Sequence, residues 1–369
     1  MATKAKGSDA GGSNRQGSRR AFLARALGIG AAAAALTGAV GAVAPWLRPF
    51  ARAQDPDTAA GVRFMRIGTG STAGMYFPIG GLIANAISRP PGARPCDKGG
   101  SCGVPGLIAV AQSTGGSVEN VHLLASGAID LALCQADIAY WARTGTAVFA
   151  DAGPMPGLLA LARMYDEKIH LVVRADGPIE RVEDLRGMRV ALGETGSGTL
   201  ADARLLLAAH GLGEADVLPV YDKPGPAADL MVAGEIDALF FIGAAPVTVV
   251  KELAAAIPIR LVGLSGPIVR QMSDTHPYLT QGIVPGGVYA GVLRAVPTLS
   301  VGAVLVTTDM MDDQTAYGIV RGLWHPNMRG TLDEDTIGFR LNPSLAPHGT
   351  GIPLHPGAER FYGDEGLLP

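Results

Sequence analysis

Two stretches of this 369-residue chain set glycine, serine and threonine in a tight loop between an apolar strand and a helical pattern. They are "RIGTGSTAGMYFPIGG" at 66–81 and "MRVALGETGSGT" at 188–199. A helix start offers unpaired N–H groups and partial positive charge, and hydroxyls add donors, so such loops suit an anion. Gly68, Gly70 and Gly74 approach a dinucleotide fingerprint. Yet where the ribose-binding acid should stand, about 20 residues on, the chain reads "SRPPGARPCDKGG". Gly193 and Gly198 are spaced as in a phosphate loop, but Thr199 occupies the position of its lysine. Both loops therefore favour a small anion over a nucleoside triphosphate. One helix terminus supplies about 0.3–2 kcal/mol, and micromolar binding needs about 8 kcal/mol, so the loops must act together.

A third polar loop, "AQSTGGSVEN" at 111–120, also follows an apolar run and opens a helix. Ser117 is placed to cap that helix, which leaves Gln112, Ser113 and Thr114 as the better contacts for a ligand. Gln135, Asp137 and Tyr140 fall at the end of an apolar strand, where α/β sheets usually meet ligands. Tyr76 and Tyr165 offer flat walls with a hydroxyl, and Arg163 is a cation that either meets a carboxylate or stays in solvent. There is no G-x-S-x-G elbow and no H-E-x-x-H, and the seven histidines fit no catalytic motif, so no enzyme activity is expected. Cys96 and Cys102 flank "DKGGS" without a nearby histidine in the sequence; a small disulfide loop is favoured over a metal site, and no metal or cofactor is expected.

The elements that must position these residues follow an α/β grammar in which short apolar runs alternate with helical patterns. Ile79, Leu82, Ile83, Ala86 and Ile87 recur on one helical face. "VENVHLLASGAIDLALCQAD" and "PAADLMVAGEIDALFFIGAAP" each read helix, glycine, Ile-Asp, strand, with Gly127 and Gly234 where a helix ends in a left-handed residue. Each is preceded by one of the strand–loop–helix units, so the plan is two α/β lobes. "IHLVV" is a natural crossing between them, and a return crossing falls within 287–311. The expected division is 62–166 plus 287–369 for the first lobe and 167–286 for the second. Two crossings make a hinge that closes on a ligand.

Residues 1–25 carry six basic residues against Asp9, and 26–47 are uncharged and mostly Ala and Gly. "SRRAFLA" sets Arg19 and Arg20 in a twin-arginine pattern, and "ARAQD" offers cleavage after Ala53, so export to the periplasm is expected. Eight of the 30 basic and one of the 33 acidic residues precede position 54, which leaves 22 against 32 and a net charge of −10. A chain so acidic does not suit nucleic acid.

Four passages carry a family resemblance: "IGTGSTAGMYFPIGG", "AQSTGGSVENVHLLASGAIDLALCQADIAY", "IHLVVRADGPIERVEDLRGMRVALGETGSGT" and "IPLHPGAERFY". Over residues 62–362 the chain resembles the TAXI family of solute receptors of tripartite ATP-independent periplasmic (TRAP) transporters. The resemblance implies a type II periplasmic-binding-protein clamshell without catalysis. Its ligand would be a small organic acid, a glutamate-like amino acid or a dicarboxylate, passed to the TRAP membrane subunits. The contacts it implies are Thr69, Gly70, Ser71, Thr72 and Tyr76; Gln112, Ser113 and Thr114; Gln135, Asp137 and Tyr165; and Thr195, Ser197, Gly198, Thr199 and Gly243. The segment "RPCDKGGSCGVPGLIAV" and the pair Arg163-Met164 depart from the family pattern. An exported NAD(P)-binding oxidoreductase, loaded before export, is the alternative from another class.

Overall fold

The computed structural model describes residues 61–328 and 341–369; the export segment read at 1–53 lies outside them. Strands β1 (Arg63–Gly68), β4 (Leu107–Gln112) and β5 (Leu131–Gln135) run parallel, with β1 between the other two. Helices α1 (Tyr76–Ile87) and α2 (Ser117–Ala125) make the crossovers, and α3 (Ala136–Thr144) leaves β5. Buried Ile79, Ile83, Ala86 and Ile87 form the inner face of α1, as the spacing predicts. Between α1 and β4 a parallel pair, β2 (Ser88–Arg89) and β3 (Val104–Pro105), frames the loop joined by a Cys96–Cys102 disulfide.

The second lobe repeats the plan. Strands β7 (Arg189–Ala191), β8 (Leu218–Val220) and β9 (Ala238–Gly243) are parallel, with β7 in the middle. Here α4 (Gly198–Ala209) and α5 (Pro224–Val232) are the crossovers, and α6 (Thr248–Ala256) follows β9. The chain thus builds a β4-β1-β5 order once and a β8-β7-β9 order again. Gly127 and Gly234, at φ 69° and 73°, close the two equivalent helices before their Ile-Asp strands.

Two long strands join the lobes. In β6 (Leu158–Arg174), 17 residues cross from the first lobe to the second, and β12 (Val296–Thr308) returns beside it, antiparallel. The end of β12 pairs with β5, from Ala303 opposite Gln135 to Val306 opposite Ala132. The end of β6 pairs with β9, from Lys168 opposite Gly243 to Val173 opposite Ala238, and with β10 (Ile259–Leu261) on its other edge. β12 is buried on both faces over most of its length and reads as an apolar run without alternation, whereas β6 carries the charged stretch Asp166-Glu167-Lys168 near its middle. The start of β12 pairs with β11 (Leu279–Val284), which follows α7 (Pro267–Thr275). Tyr289 and Val292 pack with Phe241 and Val247, so residues 287–299 sit with the second lobe and the return falls inside β12. The expected boundary at 287 is too early by the length of that apolar contact. The first lobe is completed by α8 (Asp313–Leu323) and α9 (Pro356–Asp364), which cover α1.

Among the described residues, no helix is long and apolar enough to cross a membrane. Open space surrounds Gly234, so a methyl group there meets only the cost of a left-handed backbone. Gly234→Ala is expected to lower stability by about 1 kcal/mol, read as a lower midpoint in equilibrium urea unfolding; an unchanged midpoint would contradict that conformation's importance.

Candidate functional site

The carboxyl ends of β1, β4 and β5 face those of β7, β8 and β9, and one cavity of about 80 Å³ lies between them. Every one of the six ends contributes to its wall: Gly70 and Ser71, Gly115 to Ser117, Gln135, Gly193 and Glu194, Asp222, and Phe240 to Ile242. Parallel sheets place ligands at such ends because the strand order reverses there and the loops diverge. Met75 and Tyr76 at the start of α1, and Gly198 and Thr199 at the start of α4, add two helix N-termini to the same wall.

The first-lobe loops are tied together beneath the cavity by one side chain. Asn120, fully buried on α2, donates through Nδ2 to Thr69 O (2.7 Å) and Leu133 O (2.8 Å), and its Oδ1 accepts from Thr114 Oγ1 (2.8 Å). It therefore links the ends of β1, β4 and β5. A Cβ on Gly68 would lie 2.6 Å from Asn120 Oδ1, so that glycine is needed for the approach of the amide and not for a phosphate.

The lobes meet across the cavity. Val118 and Glu119 donate their N–H groups to Gly196 O, both at 3.0 Å, so the second lobe supplies the cap that the α2 N-terminus lacks from its own side chains. Gln135 Nε2 donates to Asp202 Oδ2 of α4 at 2.8 Å. A Cβ on Gly198 would fall 1.3 Å from Gln135 Oε1, which fixes glycine at this contact.

The cavity wall carries acids and no basic side chain among the described residues: Glu167, Glu194 and Asp222 line it, and neither lysine nor arginine does. Glu167, on β6, is almost fully buried and accepts from Tyr76 Oη at 2.8 Å. Burial pushes its carboxyl up to about 8, against the opposing pull of the tyrosine hydrogen bond. Arg163 pairs with Asp166, and its N–H donates to Ala346 O; Lys168 Nζ donates to Ser300 Oγ (2.6 Å) between the crossing strands. Both cations are thus engaged beside the cavity wall.

The sequence-derived contacts divide clearly. Gly70, Ser71, Tyr76, Gln135, Ser197, Gly198 and Thr199 line the cavity. Thr69 does not: its Oγ1 donates to Gln112 O (2.7 Å) and its methyl lies under Gly80. Ser113 Oγ holds Gly70 O (2.8 Å), Thr114 serves Asn120, and Gln112, Thr72 and Thr195 are exposed. Tyr165 is buried in the first-lobe core, Asp137 lies behind Gln135, and a Cβ on Gly243 would meet Phe241 and Val247. Hydroxyl-rich loops have the chemistry of ligand contacts, but here Thr69 and Ser113 use it to tie the β1 and β4 loops to each other and Thr114 to hold Asn120.

Ser117 does not cap α2, whose cap position is Gly116; it lines the cavity, where its Oγ meets Gln135 Oε1 (3.3 Å) and accepts from Gln135 N (3.2 Å). Glu167 and Asn120 went unread in the sequence. Glu167 sits in the polar stretch Asp166-Glu167-Lys168 of β6, and nothing in the sequence marks it as the buried member. Folding also brings a histidine to the cysteine loop, with His325 Nε2 3.5 Å from Cys96 Sγ. With both sulfurs joined in a disulfide, no thiolate is left to ligate a metal there.

Residues 67–366 match the NMT1-like family, and the chain belongs to it. Among solved structures it is similar to the periplasmic aliphatic sulphonate binding protein SsuA from Escherichia coli, at 14% identity over 83% of this chain and 79% of that one, with a TM-score of 0.41. The alkanesulfonate-binding protein SsuA from Xanthomonas axonopodis pv. citri, bound to MOPS, gives 17% identity over 84% and 86%, with a TM-score of 0.42. An ancestral arginine-binding protein bound to arginine gives 15% over 74% and 96%, also at 0.42.

Asn120→Ala leaves two buried carbonyls and the Thr114 hydroxyl without their partner. It is expected to cost about 3 kcal/mol of stability, measured by urea unfolding; a loss below about 1 kcal/mol would show that the loops hold without it. The folded protein binds the Glu167 proton more tightly than the unfolded chain does. This contribution to the solute-free protein's stability is therefore full in acid and is lost as pH rises from the ordinary carboxylate range, about 4.3, through about 8. Glu167→Gln is expected to flatten that part of the melting-temperature profile, and an unchanged slope would place the titration elsewhere.

Proposed function

We propose that the chain is a periplasmic solute receptor that closes its two lobes over a small organic acid and delivers it to a TRAP-type membrane permease. The observation that carries this reading is the convergence of all six parallel-strand ends on one cavity between lobes joined by two strands. That geometry encloses a ligand without bringing a nucleophile, base and oxyanion donors together, so binding and release are the chemistry it suits. The twin-arginine segment supplies the route to the periplasm, and the motif resemblance supplies the permease class. The lobes divide as 62–166 with the end of β12 and residues 309–369, and 167–299.

The wall narrows the ligand class. The starts of α1 and α4 favour one carboxylate, while buried Glu167 and the absence of lysine and arginine from the described lining disfavour a second unpaired one. An amino acid carries its own ammonium group to set against Glu167, so a glutamate-like zwitterion fits better than a simple dicarboxylate. A dinucleotide fits poorly, because Gly68 is occupied by Asn120, and β4, beside β1, ends in Gln112 where an acid would hold ribose.

Isothermal titration of the purified chain with glutamate, glutamine, aspartate and C4–C5 dicarboxylates tests this. Micromolar binding of an amino acid, weakened at least about 10-fold in Glu167→Gln while any dicarboxylate binding is not, is expected. Failure to bind any carboxylate, or isolation with stoichiometric nucleotide, overturns the reading.

A further inference from the structure

Behind the cavity, two carboxyl groups from opposite lobes meet in a fully buried position. Asp137 begins α3 of the first lobe and Asp202 lies on α4 of the second, at 0% and 1% exposure. Each has one oxygen satisfied: Asp137 Oδ1 accepts from Ile138 N at 2.7 Å, and Asp202 Oδ2 accepts from Gln135 Nε2 at 2.8 Å. The other two, Asp137 Oδ2 and Asp202 Oδ1, are buried without a donor among the described residues, and the two side chains are within hydrogen-bonding reach of one another. Two acceptors in contact have nothing to exchange unless one carries a proton.

We propose that closing the lobes binds one proton between Asp137 Oδ2 and Asp202 Oδ1, so that the closed form is favoured in acid and opens in alkali. The proposal rests on the reading above only in taking the two lobes to open and close. Burial pushes both carboxyls above the ordinary carboxylate range, Asp202 further, with each other's charge adding to the effect at Asp202. Glu167 of β6 adds negative charge, and Cys134 of β5 is buried with its thiol pushed up by that burial. His276, at the end of α7, draws Asp137 downward, and Tyr278 holds Trp141 Nε1 at 2.8 Å. No cation contacts either carboxyl among the described residues, so the shared proton is the neutralising species. Coupled carboxyls of this kind lose their protons as a pair, the second with difficulty.

Open lobes separate Asp137 from Asp202 and return both to water, where each ionises in the ordinary range near about 3.9. The proton is therefore linked to closure: alkali removes it, like charges face each other without solvent, and the contact through Gln135 is lost with it. Asn at position 202 keeps an oxygen for Gln135 and presents an amide donor to ionised Asp137, giving a closed form that needs no proton.

The test uses the full chain without solute, so a failure to bind carboxylates and a failure of this proposal are separate results. Infrared spectra of Glu167→Gln, which removes the other buried acid, are recorded from about pH 5 to about pH 9, with small-angle scattering of the wild type in parallel. The carbonyl stretch of a protonated carboxylic acid is expected to persist above the ordinary aspartate range and to vanish when Asp202→Asn or Asp137→Asn is added. The wild type is expected to expand over the same pH interval, while Asp202→Asn stays compact. Asp137→Asn provides the same comparison if Asp202→Asn does not fold. A spectrum without that band, a wild-type protein equally expanded at every pH, or an asparagine variant that opens at the wild-type midpoint overturns the proposal.

Discussion

The amide of Asn120 is the constraint on which the first half of the binding cleft depends. Three strands end beneath the cavity, and each end leaves backbone groups that a buried sheet must satisfy. One side chain answers for all three by donating to Thr69 and Leu133 and accepting from Thr114. The loops above it are then free to turn Gly70, Ser71, Gly115 and Gly116 toward the other lobe. Second-lobe closure depends in turn on this arrangement, because Gly196 O caps an α2 whose start Asn120 has already fixed.

Close approach and charge act together where the lobes meet. Gly198 lies against the Gln135 side chain and Gly116 against the Ser197 backbone, so there is little room for water between charged groups. In that setting Glu167, Asp137 and Asp202 cannot all be ionised without partners. The cleft is closed by hydrogen bonds that are largely backbone or amide, while its acids set the conditions under which closure is favourable. That division separates geometry, which glycine controls, from electrostatics, which three acids control.

Much of the fold was legible because the doubled pattern of helix, glycine, Ile-Asp and strand uses local signals. The left-handed Gly127 and Gly234, and the inner face of α1, follow from backbone and periodicity rules. The boundary inside β12 was not legible, since a strand buried on both faces has no alternation to mark where its neighbours change. At the site, loop positions were readable and side-chain directions were not. Thr69, Ser113 and Thr114 have the chemistry of ligand contacts but use it to bind neighbouring loops and Asn120, whereas Ser117 looked like a cap and faces the cavity. Glu167 and the Asp137–Asp202 contact join residues far apart in sequence, and nothing local announces such a meeting.

The two crossing strands carry a mechanical consequence. Because β6 and β12 are hydrogen-bonded neighbours, the lobes cannot slide past each other without breaking a ladder, and cannot swing as they would on separate flexible tethers. The softest motion left is a shared twist of the two strands where they pass from one lobe to the other. A motion of that kind turns one cleft wall over the other, so a solute is enclosed by rotation about an axis through the sheet, with its entry side set by the handedness of the strands.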